Sequence, residues 1–237
     1  WVKAAKGHEI DSSALNYKSG DAFLKEAKGR SNKMAFFIDS SGRSYTLLAN
    51  SLPSARGQGE PLTGRLTPPI GAEFIDVVMG DDEQLVILSS DAGYGFISTL
   101  GDLQSKTKSG KHAITLSKEA KTMRLTKVQN LESDYLAVIT NRARLLIFSV
   151  SELPQLSKGK GNKLINIKTD DFVAKEEFLI GLCIIKENQK LRVEYGNGKK
   201  HKQYSFSDLV NFTSHRARKG LTVPGVHGKA LGIDAID

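Results

Sequence analysis

The sequence predicts an all-β fold built from repeated units of about four strands, set out as the blades of a propeller-like array. Three observations predict it. A basic, glycine-containing loop recurs, and Gly59, Gly110, Gly161 and Gly220, which close its four copies, stand 51, 51 and 59 residues apart. Short apolar runs rich in β-branched and aromatic residues fill the intervals, each bounded by Gly, Asp, Asn, Ser or Pro, as strands are. Long stretches with apolar residues at helical spacing are missing. A fixed period of this size marks an array of similar units, and a solenoid would show shorter periods or helices.

Taken in order, residues 1–33 read as the tail of a first unit whose opening strands are missing or lie at the C-terminus. The chain opens on Trp1-Val-Lys rather than Met, as a piece cut from a longer protein would. Lys3 and Lys6, in Val2-Lys-Ala-Ala-Lys-Gly7, are expected in that unit's basic loop. Strands are expected at Met34–Ile38, Phe74–Met79, Leu85–Leu88, Tyr135–Ile139, Leu145–Phe148 and Leu191–Tyr195, with a closing strand at Leu231–Ile236. Three hairpins align across the repeat: Ile38-Asp-Ser-Ser-Gly42-Arg-Ser-Tyr45, Ser89-Ser-Asp-Ala-Gly93-Tyr-Gly-Phe96 and Ile139-Thr-Asn-Arg-Ala143-Arg-Leu-Leu146. Asp or Asn followed by Gly suits a hairpin turn. Ala143 replaces the glycine in the third copy, so a different turn is expected there. Tyr195-Gly-Asn-Gly198 gives a fourth hairpin. Short helices are expected around Ser117–Ala120 and Ser205–Val210. The whole reads as a single domain over 1–237, with approximate units 1–33, 34–84, 85–134, 135–189 and 190–237, five blades in all.

The balance of 34 basic against 26 acidic residues gives a net charge of +8 and a pI near 9.4, which points toward nucleic acid or an anionic surface. Charge also has a phase. The basic loops are Leu52–Gly59, Leu103–Gly110, Leu153–Gly161 and a looser copy from Leu209 to Gly220. The acidic turns, at Asp81-Asp-Glu83, Glu132 and Glu187, fall between them. That segregation predicts one electropositive rim instead of uniform basicity. The candidate DNA contacts are Lys3, Lys6, Arg56, Lys106, Lys108, Lys111, Lys158, Lys160, Lys163, Arg216, Arg218 and Lys219. Aromatics make up 7% of the chain and sit in strands, away from the lysines, which disfavours a stacking platform for single strands. Lysine and arginine without base-reading scaffolding favour duplex phosphates, whatever the sequence. Removing Lys158, Lys160 and Lys163 together is expected to flatten the salt dependence of binding.

Signs of chemistry are few. Lys158-Gly-Lys-Gly161-Asn-Lys163 resembles a phosphate-binding loop, but such a loop needs Gly-Lys followed by Ser or Thr. Glycine beside lysine still suits phosphate oxygens of any kind. His8, His112, His201, His215 and His227 are scattered, with no pair at metal-ligand spacing. Asp81 and Asp82 lack the alternating ligands of a cation loop. The lone Cys183 reads as a small buried hydrophobe in a chain without disulfides, which fits a reducing cytosol. No apolar run reaches the length of a membrane span. No nucleophile elbow is present. Neither a catalytic site nor a metal site is expected.

Five long motifs, in order, carry a family resemblance. They are Trp1-Val-Lys-Ala-Ala-Lys-Gly-His8, Leu15-Asn-Tyr-Lys-Ser-Gly-Asp21, Leu52-Pro-Ser-Ala-Arg-Gly-Gln-Gly-Glu-Pro-Leu-Thr-Gly64, Ser90-Asp-Ala-Gly-Tyr-Gly-Phe96 and Leu153-Pro-Gln-Leu-Ser-Lys-Gly-Lys-Gly-Asn-Lys163. The sequence resembles the C-terminal domain of the A-type subunit of bacterial DNA topoisomerase IV, over nearly the whole chain and fading after about residue 170. The resemblance implies a five-bladed β-pinwheel whose blades exchange strands, with duplex DNA bent around its basic rim. It implies a parent ATP-dependent type II topoisomerase that decatenates and relaxes DNA with ATP and Mg. The cleaving tyrosine would lie in the N-terminal region of the A-type subunit and the ATPase in the B-type subunit. This fragment would then have no catalytic activity and no cofactor. The implied partners are duplex DNA, those two parts of the parent enzyme and a condensin-like chromosome-organising protein; the implied location is the cytoplasm, at the nucleoid. The nearest rival is the wrapping domain of the A-type subunit of gyrase, which carries a Gln-Arg-Arg-Gly-Gly-x-Gly box. Here Ala55-Arg-Gly-Gln-Gly59 and Leu156-Ser-Lys-Gly-Lys-Gly161 are degenerate beside it. A propeller-type protein-interaction module is the remaining alternative.

Overall fold

The computed structural model describes residues 1–237 apart from His8 and Lys199, so the reading of His8 lies outside the described residues. The chain divides into two compact units, residues 1–84 with 99–113, and residues 85–98 with 114–237.

Strands β1 (Met34–Asp39) and β2 (Arg43–Leu48) form the first hairpin, and β3 (Phe74–Met79) returns beside β1. A second hairpin, β4 (Leu85–Ser89) and β5 (Tyr94–Thr99), is followed by one helical turn, α1 (Leu100–Leu103). Two short strands come next, β6 (Lys111–His112) and β7 (Thr126–Lys127). The third hairpin is β8 (Tyr135–Thr140) and β9 (Arg144–Ser149). After it run β10 (Asn162–Lys163), the helix α2 (Thr169–Val173) and β11 (Leu179–Ile185). The last hairpin, β12 (Lys190–Tyr195) with β13 (Lys200–Tyr204), precedes β14 (Leu221–Thr222) and β15 (Ala230–Ile236). The pairings are antiparallel and give the sheets β3-β1-β2-β6, β10-β5-β4-β7, β11-β8-β9-β14 and β13-β12-β15. The all-β architecture, the hairpins and the closing strand are those expected from the sequence.

In the first unit, one sheet packs Ala35, Phe37 and Tyr45 against Leu62, Leu66 and Met79. The ring of Phe74 meets Tyr45 edge-on at 5.3 Å between centroids, a favoured aromatic geometry. The phenol of Tyr45 donates to Asp39 Oδ2 at 2.7 Å. Asp39 Oδ1 also accepts from the backbone N–H of Ser41 and Arg43, which locks the first hairpin turn.

In the second unit the third sheet is buried on both faces. Leu136, Val138, Leu146 and Phe148 pack with Ile87 and Ile97 of the second sheet. Their neighbours Ala137, Ile139, Leu145 and Ile147 pack with Leu191, Val193 and Ile233 of the fourth. Successive strand residues point to opposite faces, so a strand with two covered faces must be apolar at every position. That is why Tyr135–Ile139 and Leu145–Phe148 read as unbroken apolar runs in place of alternating ones. Cys183 sits half-buried on β11, and burial pushes its thiol up from 9.0 to about 12, with the charge of Asp234 adding to the shift.

Three expectations are corrected. The turn at Ala143 is the same as its glycine counterparts. Gly42, Gly93 and Ala143 have φ of +87°, +80° and +56°. Each donates its N–H back three residues, to the carbonyls of Asp39, Ser90 and Thr140 at 3.1, 2.9 and 2.9 Å. The left-handed conformation disfavours a Cβ by roughly 1–2 kcal/mol. Ala143 is held in it by its fully buried surroundings and by the N–H of Val223 on its carbonyl at 3.0 Å. Ser117–Ala120 is a turn and not a helix, closed by the Ala120 N–H on the Ser117 carbonyl, with Glu119 at φ +65°. At Phe206–Phe212 the expected helix does form, as a 3-10 helix started by a reciprocal cap between Ser205 and Asp208.

The third departure lies at the N-terminus. Ala4 donates to the Pro53 carbonyl at 2.7 Å and accepts from the Ala55 N–H at 2.9 Å. Ile97 of β5 does the same with Pro154 and Leu156, at 2.9 and 2.8 Å. Residues 2–4 therefore occupy the place of a second hairpin strand, and not of a basic loop as the repeat suggests.

Candidate nucleic-acid interface

Each basic loop is bounded in the same way. A helical turn precedes it, at Ala49–Ser51, α1, Val150–Glu152 and Phe206–Phe212. The loop ends at Gly59, Gly110, Gly161 or Gly220, with φ of +88°, +72°, +75° and +74°. A very short extended segment follows and docks on the second strand of an earlier hairpin or, in the first copy, on the N-terminal residues that stand in its place. Glu60 bridges Val2, β6 pairs with β2, β10 with β5, and β14 with β9. A Cβ on any of these glycines would come within 3.0 Å of a carbonyl oxygen of the receiving strand, on Val2, Ser44, Gly95 or Leu145 respectively. The repeat glycine is thus required twice over, for the left-handed turn and for the close approach of two backbones.

A second repeated feature fixes the loops. The residue directly after each left-handed hairpin turn is Arg43, Tyr94 or Arg144, and each reaches the loop that docks beside it. Arg43 Nη1 donates to the carbonyls of Ser109 and Gly110 at 3.0 and 3.3 Å. The ring of Tyr94 lies under the ammonium of Lys160, 4.0 Å from its centroid. Arg144 Nη1 donates to the Lys219 carbonyl and Nη2 to that of Asn166. Arg144 and Glu177 form a buried ion pair, with Nε to Oε1 at 2.6 Å. Thr140 Oγ1 donates to the same carboxylate at 2.8 Å. Sequence reasoning misses these latches, because the position reads only as part of a hairpin. Their constant phase, one residue past the turn, is the signal that could have found them.

The candidate cations sort by what their side chains do. In the first unit, Lys3 donates to the Asn16 carbonyl and covers the ring of Tyr17. Lys111 Nζ donates to the Asp102 carbonyl. Lys6, Arg56, Lys106 and Lys108 point into solvent. In the second unit, Lys163 Nζ donates to Asn166 Oδ1 at 3.0 Å. Arg216 is a clamp: its Nε and Nη1 donate to the carbonyls of Glu152 and Lys163 at 3.1 and 3.2 Å, and its N–H to Glu152 Oε2 at 3.0 Å. Lys158, Arg218 and Lys219 are exposed. Among the described residues, the side chains of Lys6, Arg56, Lys106, Lys108, Lys158, Arg218 and Lys219 have no hydrogen bond or ion pair to protein.

The structure also brings loops together within a unit. Ala217 donates to the Leu164 carbonyl at 2.8 Å and Asn166 to that of Arg218 at 2.9 Å, so the last loop lies along the segment that ends the third. Acidic residues stand at the strand-entry turns at Asp81, Glu132 and Glu187, and Asp81 is paired with Lys33 at 2.8 Å. The bond to Lys33 holds that carboxyl below its ordinary range. Acid also lies beside the loops: Glu60 pairs with Arg65 just after the first, and Glu152 contacts Arg216 and lies 3.5 Å from His215 Nδ1.

The family model described as DNA gyrase C-terminal domain, beta-propeller, matches residues 84–128 and 134–175. The A-type subunit of DNA topoisomerase 4 from Pseudomonas aeruginosa is 48% identical over 224 residues, which is 94% of this chain and 29% of that protein. The chain therefore spans under a third of the length of that relative. The solved structure of the E. coli ParC C-terminal domain superposes with a TM-score of 0.89 at 42% identity, over 100% of this chain and 95% of that one. A DNA gyrase A C-terminal domain superposes at 0.69 with 15% identity, covering 99% of this chain and 75% of its own, and shares the fold.

Proposed function

Because the chain belongs to the family of C-terminal domains of the A-type subunit of DNA topoisomerase IV, we propose that it binds and bends duplex DNA and does no chemistry itself. The observation that carries this reading is the recurrence of one device at each basic loop. At every loop a glycine docks the end on a neighbouring strand; Arg43 and Arg144 grip the backbone of two loops and the Tyr94 ring holds Lys160 of a third, and free lysines and arginines are left exposed. Fixed cations of this kind gain phosphate contacts without first losing backbone freedom. Bending some 20–30 base pairs costs a few kcal/mol, so several phosphate contacts are needed to offset it.

In this reading the domain presents a bent segment to a parent type II topoisomerase, which decatenates and relaxes DNA with ATP and Mg. The cleavage tyrosine would be supplied by the N-terminal region of the A-type subunit and the ATPase by the B-type subunit, in the bacterial cytoplasm at the nucleoid. A condensin-like protein would be a further partner. The degenerate gyrase box supports partial bending over a complete wrap.

The test uses the free cations of the second unit. Changing Lys158, Arg218 and Lys219 to Ala together should weaken binding to any duplex and flatten the slope of log K against log salt by roughly 2–3. Changing Arg216 to Ala should instead lower stability and alter the slope by about 1 or less. An unchanged slope in the folded triple variant would rule out the loops as the phosphate track.

A further inference from the structure

One loop of the first unit ends in an apolar tip that the phosphate track does not use. Residues Thr67-Pro-Pro-Ile-Gly-Ala-Glu73 connect the buried Leu66 to β3. Ile70 is the most exposed large hydrophobic residue described, at 107% of its reference area. The loop is stiff. Pro68 and Pro69 fix their own φ, and Pro69 also restricts the residue before it. The tip itself is a tight turn, closed by the Ala72 N–H on the Pro69 carbonyl at 3.0 Å, with Gly71 at φ +80°.

Both legs are pinned. Thr67 donates its N–H to the carbonyl of Lys108 at 2.8 Å, inside the basic loop 103–110. Glu73 donates its N–H to Ser40 Oγ at 3.1 Å, and its carbonyl accepts from the Ser40 N–H at 2.8 Å. Three residues of chain span at most about 11 Å, so the Ile70 backbone lies within that distance of the Thr67 backbone and close to Lys108. The corresponding turn one repeat later, Ser117–Ala120, is closed by the same bond and carries Lys118 at the place of Ile70. The tip is therefore charged in one repeat and fully apolar in the other, on the leg tied to a loop that carries Lys106 and Lys108.

Resting on the duplex-binding reading above, we propose that Ile70, with Pro69 behind it, is a wedge that enters the minor groove and partly unstacks one base step where Lys106 and Lys108 hold the flanking phosphates. Proline and isoleucine are among the side chains that do this in architectural DNA-binding proteins, and the kink opens toward the major groove. A wedge needs an apolar end, a stiff base and nearby cations to hold the backbone while the step opens, and this loop has all three. The wedge would favour deformable pyrimidine–purine steps, which gives a phosphate-binding surface a preference by shape.

The test is a duplex with 2-aminopurine placed at a central TA step, titrated with the 237-residue chain. The wild type should raise the fluorescence of the unstacked base, and should bind a duplex with a two-base mismatch about tenfold more tightly than the intact one. Ile70→Ala removes no buried contact, so its melting temperature should be unchanged. It should keep the wild-type salt slope, lose the fluorescence rise and lose most of the preference for the mismatch. Lys106→Ala with Lys108→Ala should instead lower the salt slope by about 2. Equal fluorescence from the wild type and Ile70→Ala would overturn the wedge while leaving phosphate binding intact. Absence of duplex binding by the wild type would overturn the duplex-binding reading, and the wedge with it.

Discussion

At Gly161 the φ of +75° and the approach to Gly95 leave no room for a side chain. Gly161→Ala should therefore lower stability by about 2–4 kcal/mol, from left-handed strain together with a backbone clash. Two other glycines separate the contributions. Gly228 has φ +92° with nothing within 4 Å of an added Cβ, so Ala there should cost about 1 kcal/mol. Gly232 has open space and no left-handed φ, so Ala there should change stability by less than about 0.5 kcal/mol. Thermal melts of the three variants check the order, and equal losses at Gly161 and Gly228 would remove the clash from the account. The glycine period is plain in the sequence, but its cause is not. Glycine next to lysine suggests a phosphate cradle, whereas the close contact that demands glycine is with a strand about 66 residues earlier in the chain.

The latch and its support belong to the scale of elements. Glu177, on the segment between α2 and β11, holds Arg144, and Arg144 holds the loop that carries Arg218 and Lys219. Glu177→Ala leaves a buried guanidinium without its charge partner, which typically costs about 3–5 kcal/mol. The loss should be local before it is global. Amide exchange should speed up at Ala217 and Asn166, which zip the last loop in place, while Thr115, bonded to the Gly159 carbonyl, stays protected. Uniform loss of protection would mean that the pair supports the whole unit and not the loop. Strands β1, β4, β8 and β9 are legible because four or five apolar residues in a row exceed what a loop displays. The two-residue strands β6, β10 and β14 are not, because two residues carry no period. Nor is the turn at Ala143, where tertiary packing overrides a local preference that reads clearly from sequence.

At the scale of the whole molecule, a net charge of +8 is distributed in two ways: cations that hold the protein together and cations that face outward. Composition cannot separate them. Lys3, Lys111, Lys163 and Arg216 are engaged by carbonyl and side-chain oxygens, while Lys158 and Lys106 are free, although all look alike in sequence. Fold class is therefore readable from periodicity, whereas which cations are engaged within the protein is not. If the free cations bend DNA along a path with handedness, nicked circular DNA sealed by ligase in the presence of the protein should show a shifted mean linking number, growing with protein added. Charge-removed variants should leave it in place. A shift that persists without Lys106, Lys108, Lys158, Arg218 and Lys219 would place the bending surface elsewhere.

The docking of each short strand on an earlier hairpin has a consequence for how the chain is made. A ribosome releases β2 some 60 residues before β6, and β5 a similar stretch before β10. At roughly 5–20 residues per second, each of these two hairpins waits on the order of 3–12 s with an unfilled edge. During that interval its exposed N–H and C=O groups can recruit a strand from another chain. Arg43 and Arg144 stand at the start of two such waiting edges, on β2 and β9. Charged side chains at an unfilled edge disfavour such pairing, and the two arginines that grip the finished loops stand where that matters.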